Sequence, residues 1–90
     1  MRYEWDPEKD AVNKRKHELG LADGIPALDD PARVFWIDDR FDYGEERIVT
    51  LGFGRTRVLY IVCTKRGADL TRIISARNAE DYELEIYGLG

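Results

Sequence analysis

Two arginines lie in the run Thr71–Asn78, T-R-I-I-S-A-R-N, which has the composition and alternation of a β-strand. Strict alternation predicts that Arg72 and Arg77 point to opposite faces of this strand, each beside apolar side chains. Asn78 is predicted to cap an acidic helix that follows, with Asp81 at its third position. A planar guanidinium with five donors, held where a strand meets a helix, is suited to binding phosphate.

A second group that could do chemistry is His17, the only histidine of the chain. An imidazole exchanges protons near neutral pH, and the positive charges of Lys14, Arg15 and Lys16 just before it favour its neutral form, which accepts a proton. In the last turn of a predicted helix, the macrodipole instead favours the charged form, and a cation there stabilises the helix without any catalytic role. Spacing alone leaves both interpretations open.

Metal and cofactor binding are not predicted. One histidine and one cysteine, Cys63, inside an apolar strand provide no pair of soft ligands, and the G-x-G at residues 52–54 is typical of a hairpin. Adjacent carboxylates occur in predicted turns at residues 29–30, 38–39 and 45–46. Only Glu46 is kept as a candidate base, because it begins a predicted strand beside Arg47.

Length and composition describe one folded domain, residues 1–90. Hydrophobic residues make up 43% and charged residues 36% of the chain, and no stretch has the roughly 18 apolar residues that a membrane-spanning helix needs. A single cysteine cannot form an internal disulfide, and the first residues lack the apolar core of a signal peptide. We therefore expect a protein of the reducing cytoplasm without a membrane segment.

The net charge of −4 is unevenly distributed along the chain. Residues 1–46 hold 7 cations and 13 anions, residues 47–77 hold 7 cations and 1 anion, and residues 78–90 hold 4 anions and no cation. This division permits a basic surface that binds nucleic acid despite the acidic total. It equally permits unlike charges from the three segments to neutralise one another in the fold.

Periodicity and end signals predict the elements that position these residues. A strand at Arg2–Trp5 leads into a helix from Pro7 to about Leu19, which Asp6 caps and Gly20 ends. A loop follows, with a short helical turn around residues 26–29. The further strands predicted are Val34–Ile37, Glu46–Phe53, Val58–Thr64 and the one that begins at Thr71, of which the last three form a meander.

Apolar spacing predicts which faces of the helices are buried. Val12 and Leu19 form a narrow stripe on the first helix, and Ala79, Tyr82, Ile86 and Leu89 form one on a C-terminal helix. The predicted fold class is therefore α+β. It comprises a small antiparallel sheet of four to five strands, an N-terminal helix, a short second helix and a C-terminal helix.

Five short motifs occur in a fixed order along nearly the whole chain. They are W-D-P-x-K at Trp5–Lys9, N-x-x-K-H at Asn13–His17, D-P at residues 30–31, E-E-R at Glu45–Arg47 and R-I-I-S-A-R at Arg72–Arg77. In this order and spacing the sequence resembles the BrnT family. The resemblance implies a RelE-like ribonuclease fold in a toxin of a bacterial type II toxin-antitoxin system, which cleaves RNA without a metal and stops translation. It also implies a BrnA-type antitoxin with a ribbon-helix-helix DNA-binding segment as partner, with a two-plus-two complex as one arrangement.

RNA cleavage without a metal needs a proton acceptor for the 2′-hydroxyl, a proton donor for the departing 5′-oxygen, and cations around the phosphorane. With the resemblance mapped onto this sequence, the predicted catalytic residues are His17, Arg47, Arg77 and Glu46, and the predicted phosphate-binding residues are Lys16 and Arg72. This hypothesis requires His17 to lie close to Arg47 and Arg77. The alternative is a non-catalytic module that binds the antitoxin or regulates its operon through the same sheet.

Overall fold

The alternating apolar segments of the sequence form one five-stranded sheet, accompanied by three α-helices. The computed structural model describes residues 1–40, 42 and 44–88. The elements in chain order are β1 (Arg2–Glu4), α1 (Pro7–His17), a 3-10 turn (Leu21–Gly24), α2 (Ile25–Leu28), β2 (Val34–Asp38), β3 (Arg47–Phe53), β4 (Val58–Lys65), β5 (Leu70–Asn78) and α3 (Asp81–Tyr87). In these ranges no helix combines the length and apolarity needed to cross a membrane.

The strand order is β1-β5-β4-β3-β2. From β2 to β5, each strand pairs antiparallel with the next strand in the sequence. Strand β1 pairs in parallel with β5, so that Tyr3 lies beside Thr71. The predicted α+β fold with four to five strands is confirmed. The sheet is mixed, and not wholly antiparallel, because the N-terminal segment joins the outer edge of the last strand.

Helix α1 begins as predicted but ends earlier. The Asp6 carboxylate accepts a hydrogen bond from the Glu8 N–H at 2.9 Å, and Pro7 is the first helical residue. The helix ends at His17, and Glu18, not Gly20, adopts the left-handed conformation, with a φ of 61°. The reversal comes early because side chains of α1 bind the backbone just beyond it, through hydrogen bonds to the Leu19 carbonyl and the Leu21 N–H.

The buried face of α1 is polar, so the predicted apolar stripe is wrong at Val12, whereas Leu19, just beyond the helix, packs against the core. Asn13 is 5% exposed, whereas Val12 is 48% exposed. The Asn13 side chain accepts a hydrogen bond from the Ala76 N–H at 3.1 Å and donates to the Ala76 and Leu19 carbonyls at 2.9 and 2.8 Å. Strand β1 pairs with β5 only as far as Arg72, so this amide continues the edge pairing that a longer first strand would supply.

A β-bulge in β5 changes the faces to which its arginines point. Cys63 pairs with Ile73 and Val62 pairs with Ser75, so Ile74 is an extra residue without a partner position on β4. The extra residue reverses the alternation, and both arginines of the strand therefore point to the same face. The prediction that each face carries one guanidinium is wrong for this reason.

The two faces of the sheet are covered differently. The inner face, which carries Leu59, Ile61, Ile73 and Ala76, forms the main core with Leu21 of the 3-10 turn and Ala27 of α2. Helix α2 packs directly on the backbone of β3, because a Cβ atom at Gly52 would lie 2.0 Å from the Ala27 carbonyl oxygen. Cys63 is 3% exposed in this core, and the interpretation of its thiol as core packing is confirmed.

Helix α3 is associated with the outer face, which carries Val49, Leu51, Tyr60 and Arg77. The Arg77 guanidinium donates to both carboxylate oxygens of Glu83, at 2.8 and 2.9 Å. Glu83 is 1% exposed and also accepts a hydrogen bond from the Glu80 N–H at 2.8 Å, so it caps the helix and joins it to β5.

The start and the buried face of α3 differ from the prediction. Strand β5 continues through Asn78, and Glu80 occupies the N-cap position. Tyr82 and Ile86, predicted to form an apolar stripe, are 57% and 51% exposed, and the buried residue of the helix is Glu83. Leu89, the last predicted member of the stripe, lies outside the described residues.

The Asn13 amide should be a large contributor to stability, since its removal leaves a buried N–H and a buried carbonyl of β5 without a partner. We expect Asn13→Ala to lower the free energy of unfolding by about 2–4 kcal/mol, measured by urea denaturation. Lys14→Ala, on the exposed side of the same helix, is the control and should change it by less than about 0.5 kcal/mol. Equal effects of the two substitutions would contradict the role assigned to Asn13.

The Arg77–Glu83 pair should make stability depend on pH in the acid range. Burial acts to raise the pKa of Glu83, but hydrogen bonds from Arg77 and the Glu80 N–H outweigh burial and hold the pKa below its ordinary value. A carboxyl with a lowered pKa in the folded state stabilises the fold above its unfolded pKa of about 4.3 and loses that contribution as pH falls through the folded value.

We therefore expect Glu83→Gln to be less stable than the wild type at neutral pH, with the difference in the free energy of unfolding narrowing as the pH falls below about 4. Urea denaturation across the pH series measures this difference. Glu85→Gln, at an exposed position of the same helix, should track the wild type. A Glu83→Gln deficit that stays constant with pH would show that the pair does not carry the acid dependence.

Candidate active site

A cavity of about 410 Å³ lies at one end of the sheet, between the C-terminus of α1 and the turn that joins β3 to β4. Three separate segments of the chain line it with polar groups. The lining residues are His17, Glu18, Leu19, Asp23, Arg55, Thr56, Arg57, Leu59 and Asn78.

The position of each polar group follows from its element. His17 is the last residue of α1, where the left-handed turn at Glu18 begins. The β3–β4 turn is closed by a hydrogen bond of 2.8 Å from the Gly54 N–H to the Arg57 carbonyl, which holds residues 55–57 at the end of the sheet. Asn78 is the last residue of β5 and pairs with Leu59. The cavity therefore brings an imidazole, two guanidiniums and a carboxamide to one place.

The cations at this cavity are available to a ligand. Among the described residues, the ion pairs formed by lysines and arginines do not include Lys16, Arg55 or Arg57. Arg55 and Arg57 are exposed. The carboxylates of Glu18 and Asp23 also line the cavity, and Asp23 accepts a hydrogen bond from the Gly20 N–H at 2.8 Å.

Lys16 is the one other predicted site residue that the structure places beside His17. The two side chains line an adjoining groove, which also includes Ile74 and Ser75 of the bulge. This groove and the cavity share His17, so the imidazole lies between two surfaces on either side of the α1 terminus.

Arg77 points away from this cavity. It pairs with Tyr60 on the outer face, whereas its neighbour Asn78 lines the cavity on the inner face. Its guanidinium carbon lies 3.9 Å from the centre of the Tyr60 ring, and Glu83 holds the guanidinium as described above. Burial raises the pKa of Tyr60, so its phenol is protonated at neutral pH. The predicted approach of His17 to Arg77 is therefore not observed.

The remaining predicted residues lie at the far end of the sheet. Arg47 begins β3, and the strand carries it about 20 Å from the β3–β4 turn. Its Nε atom lies 3.3 Å from a carboxylate oxygen of Glu45, and Glu46 is the exposed neighbour of that pair. Arg72 forms a 2.7 Å hydrogen bond with Glu4 of β1. The structure does not bring Arg47, Arg72 or Glu46 together with His17, because opposite ends of antiparallel strands are separated by the strand length.

The sequence analysis does not predict Arg55 and Arg57 as site residues, because they lie between two predicted strands in a stretch that is typical of a hairpin turn. A signal was present in the pattern. Two arginines flank one threonine in a tight hairpin, and such a turn holds both at the edge of the sheet without a neighbouring carboxylate in sequence. In the described residues, no group of three or more His, Cys, Asp and Glu side chains has a geometry that could hold a metal ion.

Comparisons with known proteins agree with this fold. Residues 5–83 match the family described as "Ribonuclease toxin, BrnT, of type II toxin-antitoxin system". The chain is also similar to the crystal structure of the Brucella abortus ribonuclease toxin BrnT, with a TM-score of 0.66 and 21% identity over 90% of this chain and 99% of that one. No curated protein matches the sequence. The family match covers most of the chain, and the protein therefore belongs to the BrnT toxins of type II toxin-antitoxin systems.

Proposed function

We propose that this protein is the toxin of its system and acts as an endoribonuclease that cleaves RNA without a metal and so inhibits translation. The observation that carries the proposal is the cavity in which His17 lies with Arg55 and Arg57, outside the ion pairs that hold the fold together. An imidazole beside two guanidinium groups has the chemistry that phosphodiester cleavage requires.

In the proposed reaction, the 2′-oxygen of a ribose forms a bond to the adjacent phosphorus, and the bond from that phosphorus to the 5′-oxygen of the next nucleotide breaks. His17 takes the proton from the 2′-hydroxyl or gives one to the departing oxygen. Arg55 and Arg57 stabilise the negative charge that develops on the phosphorane oxygens. Glu18 and Asp23 line the same cavity and are its candidates for the second proton transfer. The products are a cyclic 2′,3′-phosphate and a free 5′-hydroxyl.

Recognition of the RNA backbone rests on the same local charge. Lys16 in the adjoining groove and the two turn arginines in the cavity outnumber the carboxylates of Glu18 and Asp23 around the imidazole, although the chain as a whole carries −4. Contacts of this kind bind phosphates without reading the base sequence and weaken as salt increases. We therefore propose RNA as the substrate, with Lys16 extending the phosphate contacts beyond the cleaved bond.

The other predicted arginines receive structural roles in this proposal. Arg72 binds Glu4 and so holds β1 to β5, and Arg77 binds Glu83 and so holds α3 to β5. Arg47 and Glu46 stay outside the proposed site. As partner we propose a BrnA-like ribbon-helix-helix antitoxin, in keeping with the antitoxin that a type II system implies, and as location the cytoplasm.

A second candidate function is a non-catalytic module that binds the antitoxin. The observation that favours it is that three arginines predicted to grip phosphate, Arg47, Arg72 and Arg77, each contact a carboxylate of this chain. A protein of this kind would keep its partner surface without cutting RNA. Activity separates the two candidates.

Removal of the imidazole should abolish cleavage without unfolding the protein. We expect His17→Ala to slow cleavage of a labelled RNA oligonucleotide by roughly 10²–10⁴-fold in buffer with EDTA, because a positioned acid or base supplies that factor. Arg55→Ala and Arg57→Ala should each slow it by roughly 10²-fold. Thermal unfolding of each variant should match the wild type.

Arg2→Ala is the matched control, since Arg2 is an exposed arginine that pairs with Leu70, at the opposite end of β5 from Asn78, and forms an ion pair with Asp69. It should leave the cleavage rate unchanged. A His17→Ala variant that is folded and fully active would overturn the proposed site, and unfolding of this variant would make the histidine structural. Loss of wild-type cleavage in EDTA would refute the metal-free reaction.

Growth of a bacterial host separates toxin from interaction module. Induction of the wild-type chain alone should arrest growth reversibly, with breakage of cellular RNA seen on a denaturing gel. Induction of His17→Ala to the same soluble level should allow normal growth. Normal growth with both proteins at good soluble expression would instead favour the non-catalytic module.

A further inference from the structure

Strand β2 is an outer edge of the sheet, and its apolar side chains are exposed. Phe35, Trp36 and Ile37 are 64%, 37% and 53% exposed, and among the strands of the described residues only β3 pairs with β2. Edge strands of soluble proteins are usually protected by lysine, proline or a bulge. The sequence V-F-W-I-D has neither residue, and the pairing of β2 with β3 runs without a register shift.

The exposed side chains lie on both faces of this edge. Phe35 and Ile37 pair with Thr50 and Ile48 of β3 on the inner face, and Trp36 lies on the outer face. The Trp36 ring meets the edge of the Tyr60 ring, with centroids 6.4 Å apart. A strand added beside β2 would therefore cover apolar surface on both faces and satisfy the outward backbone groups of the edge.

The segment Arg33–Asp39, R-V-F-W-I-D-D, is complementary to itself. Antiparallel pairing of two copies centred on Trp36 sets Phe35 opposite Ile37 and Arg33 opposite Asp39, and the two-fold axis repeats each contact. Arg33 and Asp39 are both exposed, and neither takes part in the ion pairs among residues 1–40, 42 and 44–88. The Arg33 guanidinium donates to the Asp30 carbonyl at 3.0 Å, a contact that leaves its charge without a carboxylate. Opposite charges thus meet at both ends of the paired strands, with apolar contacts between them.

We propose that β2 is an interface with a second copy of this chain, formed by antiparallel pairing of the two β2 strands. The two sheets become one continuous ten-stranded sheet, and Phe35 and Ile37 of both copies form a cluster on its inner face. The His17 cavity remains open, because α1 lies beside β5 and β2 is the far edge of the sheet. This interface does not depend on the ribonuclease assignment.

Charge reversal tests the register of the pairing. In sedimentation across a concentration series, the wild type should reach twice the chain mass of 10.4 kDa. Arg33→Asp and Asp39→Arg should each raise the dissociation constant of the dimer roughly tenfold, because each places like charges opposite one another at both ends. The double variant, Arg33→Asp with Asp39→Arg, restores the opposite charges and should return the dissociation constant to near the wild-type value.

Arg15→Asp makes the same charge change on α1 and should leave the dimer intact, and Ile37→Lys should leave a folded monomer by circular dichroism. If Ile37→Lys does not fold, the charge-reversal variants alone test whether the two β2 strands pair. The proposal is overturned if the wild type is monomeric at every concentration, or if the single charge reversals leave the dissociation constant of the dimer unchanged. It is also overturned if the double variant keeps the raised dissociation constant of the single variants. A monomer that binds an extended antitoxin segment along β2 would assign this edge to the antitoxin and also overturn it.

Discussion

The position of the candidate site depends on a pair of hydrogen bonds between one side-chain amide and the backbone of one residue of the sheet. Asn13 binds both the N–H and the carbonyl of Ala76, at a point on β5 that β1 does not reach. A helix beside an open strand edge could otherwise slide or rotate, since its hydrophobic stripe is weak. The amide fixes the position of α1 along β5 and the rotation of the helix about its axis. A third hydrogen bond, to the Leu19 carbonyl, fixes the backbone that follows the helix. The imidazole one turn further on is therefore held beside the end of β5.

Some arginines form ion pairs that join parts of the fold, and others lie at the surface outside these ion pairs. Carboxylates of Glu4, Glu45 and Glu83 form ion pairs with arginines of the strands. Much of the positive charge of residues 47–77 is therefore neutralised within the molecule. The arginines of the β3–β4 turn are outside these pairs and remain beside His17. The predicted neutralisation of unlike charges is therefore observed for these strand arginines, whereas a basic surface that binds nucleic acid stays a prediction for the β3–β4 turn. The acidic total is a poor guide to the cavity, because the net charge counts carboxylates that are already bound to cations.

The sequence was sufficient for the order of elements, because capping and turn signals act locally. Asp6-Pro7 predicted the start of α1, and the meander of three strands followed from alternation and short turns. Features that depend on contacts between residues distant in the sequence could not be predicted. The bulge at Ile74 depends on how β5 pairs with β4, and a single extra residue reversed the face of Arg77. Periodicity likewise favoured Val12 over Asn13 as the buried residue of α1. Burial of the Asn13 amide could not be predicted, because its hydrogen-bond partner, Ala76, is 63 residues away in the sequence.

The burial of Cys63 has a consequence for the chemical reactivity of its thiol. Its side chain is 3% exposed, and burial raises the pKa of the thiol to about 12, so almost none of it is the reactive thiolate at physiological pH. It is the only cysteine of the chain, and it lies on β4 away from the residues that line the His17 cavity. Peroxide and electrophiles react with the thiolate, so Cys63 should react slowly in the folded protein, although it lines a cavity of about 420 Å³.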